Sequence, residues 1–248
     1  MKQFFILLML ISVNCFAQKI IIYTIGDSTM ADKIKPEENP ETGWGQVLPL
    51  FFNSDVTIDN RAVNGRSTRS FIAEKKWYAV YKVLKPGDYV FIQFGHNDEK
   101  IADSTRYTNP HTTYRHNLIQ FVKESREKGA IPILFSSIAR RNFKENGVLV
   151  SSHGEYPLET RLVAQEYDVP FVDLEYYSEL LETSYGPANS KALHLHFEPN
   201  EVAYYPEGKS DDTHLSKKGA LAIAGLAIDQ LKLLNDKSLN KLKKKIKK

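Results

Sequence analysis

The chain carries a single cysteine in 248 residues, Cys15, and that one lies in an apolar N-terminal stretch. Past that stretch no disulfide, thiolate nucleophile or cysteine-held metal is available. His194 and His196 would share one face if extended, the start of a metal pair, but no third ligand stands at a convincing spacing. No metal and no other cofactor is therefore expected. The motif Gly-x-Ser-x-Gly is missing, which disfavours the nucleophile elbow of ordinary α/β-hydrolases. There is no internal repeat. The longest apolar run, roughly residues 4–13, falls well short of the ~20 residues needed to span a bilayer, so no transmembrane segment is expected. Charge of one sign is also scarce: 33 basic residues face 30 acidic ones, for a net +3. The body lacks the basic excess of a nucleic-acid footprint, and no nucleic-acid partner is expected.

What is present begins with Lys2, the apolar run, and Cys15-Phe16-Ala17. A positive start, an apolar centre and small residues at −3 and −1 read as a signal peptide over residues 1–17, cut before Gln18. The competing reading is a lipoprotein with Cys15 acylated, against which Asn14 is a poor preceding residue. Either way the protein is expected to be exported, to the periplasm or as a secreted protein. Residues 236–248 hold seven lysines and one aspartate. This lysine-rich tail is set apart from a catalytic domain over 18–235. It can meet an acidic polysaccharide or anionic membrane surface, but is expected to be a frayed, solvated helix end.

Short β-rich runs alternate with helical patterns. Residues 19–25, 56–62, 89–94, 131–136 and 170–173 read as buried strands, and 44–52, 114–128, 158–167, 174–182 and 216–234 as helices, the last capped by Ser216. Strands that are apolar nearly throughout are buried on both faces, and alternation with helices implies a parallel sheet. The expected fold is a three-layer α/β/α domain with about five parallel strands, with its site at the carboxyl ends of the strands. Residues 140–150 contain the turn signal Asn146-Gly147, and 184–213 read as a long surface loop.

The residues fit for chemistry stand where that rule puts them. Gly26-Asp27-Ser28 follows the first strand and exposes a serine at its carboxyl end. A hydroxyl is a weak nucleophile until an imidazole takes its proton, and that imidazole needs an acceptor on its other nitrogen. Asp211-Asp212-Thr213-His214, just before the last helix, offers both groups. Asp211, three residues before His214, can reach back in a tight turn, whereas Asp212 points away. Gly65 after the second strand can present a bare backbone N–H, and Asn97 after the third can aim its side-chain amide at the same point. With the Ser28 N–H they would make an oxyanion hole of three donors. Each motif alone is also what a turn or helix cap carries; their combination at successive strand ends carries the reading.

In these motifs the chain resembles the SGNH hydrolase superfamily, the GDSL-like esterases, with the matching blocks in order along most of the sequence: Gly26-Asp27-Ser28, the glycine of Asn64-Gly65-Arg66-Ser67, Gly95-His96-Asn97-Asp98, and Asp211-x-x-His214. More narrowly, Ile25-Gly26-Asp27-Ser28-Thr29-Met30, Gly43-Trp44-Gly45 and the segments 64–71 and 93–98 are similar to rhamnogalacturonan acetylesterases. The resemblance implies a flavodoxin-like fold and metal-free removal of O-acetyl groups from pectin backbones. It implies Ser28 as nucleophile, His214 and Asp211 as the rest of the triad, and Ser28, Gly65 and Asn97 as the oxyanion hole. An acetylated plant polysaccharide or oligosaccharide is then the partner. The rivals are the same chemistry on another ester, such as acetylated xylan, and a carbohydrate-binding protein that has lost activity.

Other residues have weaker claims. Arg66, Arg69, Arg140 and Arg141 are candidates for uronate carboxylates, against ordinary ion pairing. His96 is expected to support Asn97, Trp44 to pack near Ser28, His153 to sit on the rim, and His194 and His196 to belong to a loop lining the substrate groove.

Overall fold

The computed structural model describes residues 19–247. The expected signal peptide and Cys15 lie outside the described residues.

Five strands form one parallel sheet: β1 (Ile20–Gly26), β2 (Val56–Asn60), β3 (Tyr89–Gln93), β4 (Ile131–Phe135) and β5 (Phe171–Val172), in the order β2-β1-β3-β4-β5. The period-2 alternation of side chains explains the apolar runs. Ile20, Ile22, Tyr89, Phe91, Ile133 and Phe135 face one core. Tyr23, Ile25, Val90, Ile92 and Leu134 face the other. The helices are α1 (Trp44–Val47), α2 (Thr68–Ala73), α3 (Lys76–Tyr81), α4 (Arg115–Glu127), α5 (Tyr156–Glu166), α6 (Leu174–Asn189), α7 (Lys217–Leu233) and α8 (Asn240–Lys243). Side chains of α1, α6, α7 and α8 fill the first core, and those of α2 to α5 the second. The three-layer expectation holds. The strand order reverses at β1, so the clefts beside its carboxyl end form the switch point where such sheets bind ligands.

Two expectations need correction. Segment 184–213 is not one loop. It holds the end of α6, kinked at Gly186 (φ 71°) before Pro187, a 3-10 turn Ser190–Leu193, and an antiparallel pair, β6 (His194–Phe197) with β7 (Lys209–Leu215). The hairpin escapes detection because Lys209-Ser210-Asp211-Asp212-Thr213 lacks the apolar alternation that marks a strand. Through residue 247 the lysine-rich tail is not frayed either. Leu239 and Leu242 are fully buried, Tyr89 donates from its hydroxyl to the Ser238 carbonyl at 2.9 Å, and Lys245 meets Asp55 at 2.7 Å. Ile246 bridges Phe52. Leu239 and Leu242 turn inward while Lys237, Lys241, Lys244 and Lys247 are exposed, so most of the described lysines line the outer side of a segment that closes the core.

Candidate active site

Ser28 owes its position to two neighbours. Gly26 passes so close to β3 that a Cβ there would stand 2.6 Å from the Gln93 carbonyl oxygen and 2.9 Å from the Met30 sulfur. Asp27 then caps the turn, its Oδ1 accepting from the Thr29 N–H (3.0 Å) and hydroxyl (2.8 Å). The chain bends out of β1 and leaves the Ser28 hydroxyl facing the hairpin.

The hydroxyl of Ser28 and Nε2 of His214 are 2.9 Å apart. On the far side of the ring, Nδ1 of His214 donates to Asp211 Oδ2 at 2.9 Å. Asp211 Oδ1 accepts from the backbone N–H groups of Thr213 and His214, both at 2.9 Å. Burial pushes the Asp211 carboxyl up, but these bonds from the His214 ring and backbone and from Thr213 outweigh it and hold the group well below the usual carboxylate range. Asp212 turns away, toward His196 (2.7 Å) and Arg141 (2.9 Å). Ser28, Asp211 and His214, read as one unit from the sequence, are thus brought together.

Gly65 lies between two residues tied to the other site loops: Asn64 shares Lys33 with the Ser28 carbonyl, and the Arg66 carbonyl accepts from Asn97. Gly65 adopts φ 74°, a conformation that favours glycine. Among the described residues, neither the Gly65 nor the Ser28 amide has an internal acceptor. Asn97 is buried, and its side-chain amide donates to the Arg66 carbonyl at 3.2 Å while its oxygen faces Arg106 Nη1 at 3.4 Å. That fixes which end of the amide is the donor. Asp98 braces this loop, accepting from the Thr68 N–H (3.1 Å) and the hydroxyls of Thr68 (2.5 Å) and Thr108 (2.8 Å).

Burial raises the Asp98 carboxyl to about 7 against the pull of those donors. Its unfolded counterpart ionises near 4, so between these values the folded chain holds the extra proton and stability falls as pH rises. Asp98→Asn removes that slope. Relative to the parent, the variant is expected to gain about 2–3 kcal/mol between pH 4.5 and 6.5, read from urea unfolding at both values. A constant gap would contradict a buried neutral carboxyl.

Lys33 carries no signal in the sequence, where it is one of several charged residues between Asp32 and Glu38. Its side chain is 1% exposed and its ammonium donates to the Ser28 carbonyl, to Asn64 Oδ1 (2.9 Å) and to Glu41 (2.7 Å). Glu41 bridges Ser216, and the Thr42 N–H donates to Leu215 at 2.9 Å. One buried cation thereby ties together the nucleophile turn, the Gly65 loop and the chain leaving His214.

The weaker candidates divide. Trp44 is buried beside the nucleophile turn, donating from its backbone to the Thr29 carbonyl and from its ring to Gln93. His96 is buried under the nucleophile turn, 3.3 Å from Asp27. Burial, against the pull of Asp27, lowers it to about 4, so it is neutral there. His153 is not on the rim: it is 1% exposed, bonded to Glu99 (2.9 Å) and to the Ile138 carbonyl (2.8 Å). His194 is buried between Glu182 (2.7 Å) and the His214 carbonyl (3.2 Å). With His196 it belongs to strand β6 and lines a cavity of about 1240 Å³, which none of the five site residues lines. Among the described residues no cluster of three metal-ligating side chains occurs, and no helix is long and apolar enough to cross a membrane.

Comparison with known proteins places this geometry in context. The family model of the GDSL-like lipase/acylhydrolases matches residues 24–222. The chain is 42% identical to the rhamnogalacturonan acetylesterase RhgT of Bacillus subtilis, over 87% of this chain and 90% of that protein. It is 29% identical to the rhamnogalacturonan acetylesterase of Emericella nidulans, over 82% and 81% of the two chains. Among solved structures, Bacillus subtilis YxiM superposes with a TM-score of 0.73 at 27% identity, covering 87% of this chain and 56% of that one. The acetylxylan esterase Axe2 of Geobacillus stearothermophilus (TM-score 0.57, 18% identity, 85% of this chain and 93% of that one) shares the fold.

Proposed function

From the premise that the chain belongs to the GDSL-like lipase/acylhydrolase family, we propose that it is an exported serine carbohydrate esterase that removes O-acetyl groups from rhamnogalacturonan. The observation that carries the chemistry is the 2.9 Å contact between the Ser28 hydroxyl and a His214 ring already held by Asp211. The likeness to rhamnogalacturonan acetylesterases, over 86–87% of this chain, supports the substrate, and the leader read over residues 1–17 supports export to the periplasm or beyond.

His214 Nε2 takes the proton of Ser28 as Oγ attacks the acetyl carbonyl. The new Oγ–C bond turns the carbonyl oxygen into an oxyanion, which the amides of Ser28 and Gly65 and the side chain of Asn97 hold. Such donors contribute because they are aimed before the charge develops. His214 returns the proton to the departing sugar oxygen as the ester bond breaks. Water, deprotonated by the same ring, then attacks the acetyl-serine, and acetate leaves as Ser28 recovers its proton. Asp211 stays ionised and stabilises the imidazolium in both halves.

Acetate release from acetylated rhamnogalacturonan, acetylated xylan and an aryl acetate tests the substrate. The expected result is a kcat/KM for rhamnogalacturonan at least about tenfold above that for xylan, since differences in transition-state contacts of this kind are worth 1–3 kcal/mol. Equal rates, or preference for xylan, would reject the pectic substrate and leave the serine chemistry standing.

A further inference from the structure

Four arginines were candidates for acidic sugars, and each is engaged elsewhere. Arg66 holds Glu74 and the Asn64 carbonyl, both at 3.0 Å. Arg69 donates to the Ser104 carbonyl at 3.0 Å, Arg140 to Glu99 and Ser152, and Arg141 to Asp212, Ser190 and the Pro187 carbonyl.

Arg106 differs. Its Nε is held by Asp103 Oδ2 at 2.5 Å, and Asp103 is itself fixed by the Thr105 N–H (3.0 Å) and hydroxyl (2.6 Å). Among the described residues, the outer edge of the guanidinium, Nη1 and Nη2, has only the long contact to Asn97 Oδ1. Nη1 stands 3.7 Å from where a Cβ on Gly65 would be, so this edge borders both oxyanion residues. Arg106 and Gly65 share a cavity of about 450 Å³ with Arg66, Glu74, Asp103 and Thr105. The two carboxylates there are already paired, Glu74 with Arg66 (3.0 Å) and Lys76 (3.4 Å), Asp103 with Arg106. Lys100 adds a charge without a counter-ion. Its N–H reaches back to the Asn97 carbonyl at 3.3 Å, its side chain is exposed, and among the described residues no carboxylate pairs with it. Partial burial and the positive charges of Arg106 and Arg140 hold its ammonium below the usual lysine range, against the weaker pull of Asp27 and Glu99. Arg106 thus presents its free guanidinium edge beside Asn97 and Gly65, and the charge of Lys100 follows three residues after Asn97.

We infer that Arg106, with Lys100 close to it in the chain, forms a carboxylate subsite beside the oxyanion hole, which takes a uronate carboxylate of the polysaccharide near the acetyl group being removed. The inference rests on the pectic reading above and gives it a chemical basis in this chain. A guanidinium edge matches a carboxylate with two parallel N–H···O bonds. Because Asp103 has already fixed Arg106, little side-chain freedom remains to be lost when the uronate docks. The same Arg106 edge faces the Asn97 oxygen, so a docked uronate and a correctly turned oxyanion donor share one support.

The test is inhibition of aryl-acetate hydrolysis by unacetylated galacturonate oligomers and by their neutral methyl esters, each variant compared with its own uninhibited rate. In the parent protein the acid is expected to inhibit competitively, with a Ki at least about tenfold below that of the ester, as a charge-assisted bidentate contact supplies. Arg106→Gln is expected to raise the Ki of the acid at least about tenfold and that of the ester much less. Arg106→Lys keeps the charge but loses the planar fork, and Lys100→Gln keeps the fork; each raises the Ki of the acid by about threefold. Equal inhibition by acid and ester, or an unchanged Ki in Arg106→Gln, overturns the subsite. Inhibition as expected without deacetylation of rhamnogalacturonan would uphold the subsite and defeat the pectic reading. Deacetylation without selective inhibition would do the reverse.

Discussion

Ser28→Ala is expected to lower kcat on an aryl acetate by about 10⁴–10⁶-fold with the fold intact. Among the described residues the hydroxyl makes one bond, to His214 Nε2, and no buried apolar contact depends on it. The supports of the turn are elsewhere: Asp27 on the Thr29 N–H and hydroxyl, and Lys33 on the Ser28 carbonyl. Removing the oxygen leaves the oxyanion donors and the imidazole in position but without a nucleophile. Urea unfolding of the variant is expected to match the parent within about 0.5 kcal/mol, as for changes that touch no cap, core or buried pair. Retained turnover in a correctly folded variant would remove the serine mechanism.

Asp211→Asn is expected to cost about 10⁴-fold in kcat, with KM little changed. The oxygen of the new amide can still accept from the Thr213 and His214 backbone, which Asp211 Oδ1 does now. Its NH₂ must then face His214 Nδ1, where Asp211 Oδ2 accepts at 2.9 Å. A donor there requires Nδ1 to accept, so the ring proton moves to Nε2, and the atom facing Ser28 can no longer take its proton. The neighbouring carboxylate provides the control. Asp212 faces His196 and Arg141, so Asp212→Asn should change kcat by no more than a few-fold. Equal losses in the two variants would mean that neither carboxylate acts through the imidazole.

The fold was legible because its strands are buried on both sides: runs such as Ile20-Ile21-Ile22-Tyr23 and Tyr89-Val90-Phe91-Ile92 have apolar residues for two cores, and a parallel sheet is the architecture that uses both. Ser28, Gly65 and Asn97 were legible as candidates because each follows closely on the end of β1, β2 or β3, at one edge of the sheet. The hairpin that carries Asp211 was not, since a polar two-stranded pair gains its register from backbone bonds and from Leu195 and Leu215 rather than from a periodic apolar face. The tail misled for a related reason. Seven lysines dominate its composition, yet Leu239 and Leu242 decide where it goes. Lys33 and Arg106 stayed hidden because a charged side chain takes its role from partners distant in sequence, here Asn64 for one and Asn97 for the other.

Covalent labelling with an aryl phosphonate, followed by mass analysis of the digested protein, examines the convergence of Ser28, His214 and Asp211 most directly. Loss of aryl-acetate turnover is expected in step with one phosphonyl group per chain, carried on the peptide containing Ser28 and absent from Ser28→Ala. Full turnover after prolonged exposure, or a label on any other residue that tracks the loss of activity, would contradict a Ser28 nucleophile activated by His214.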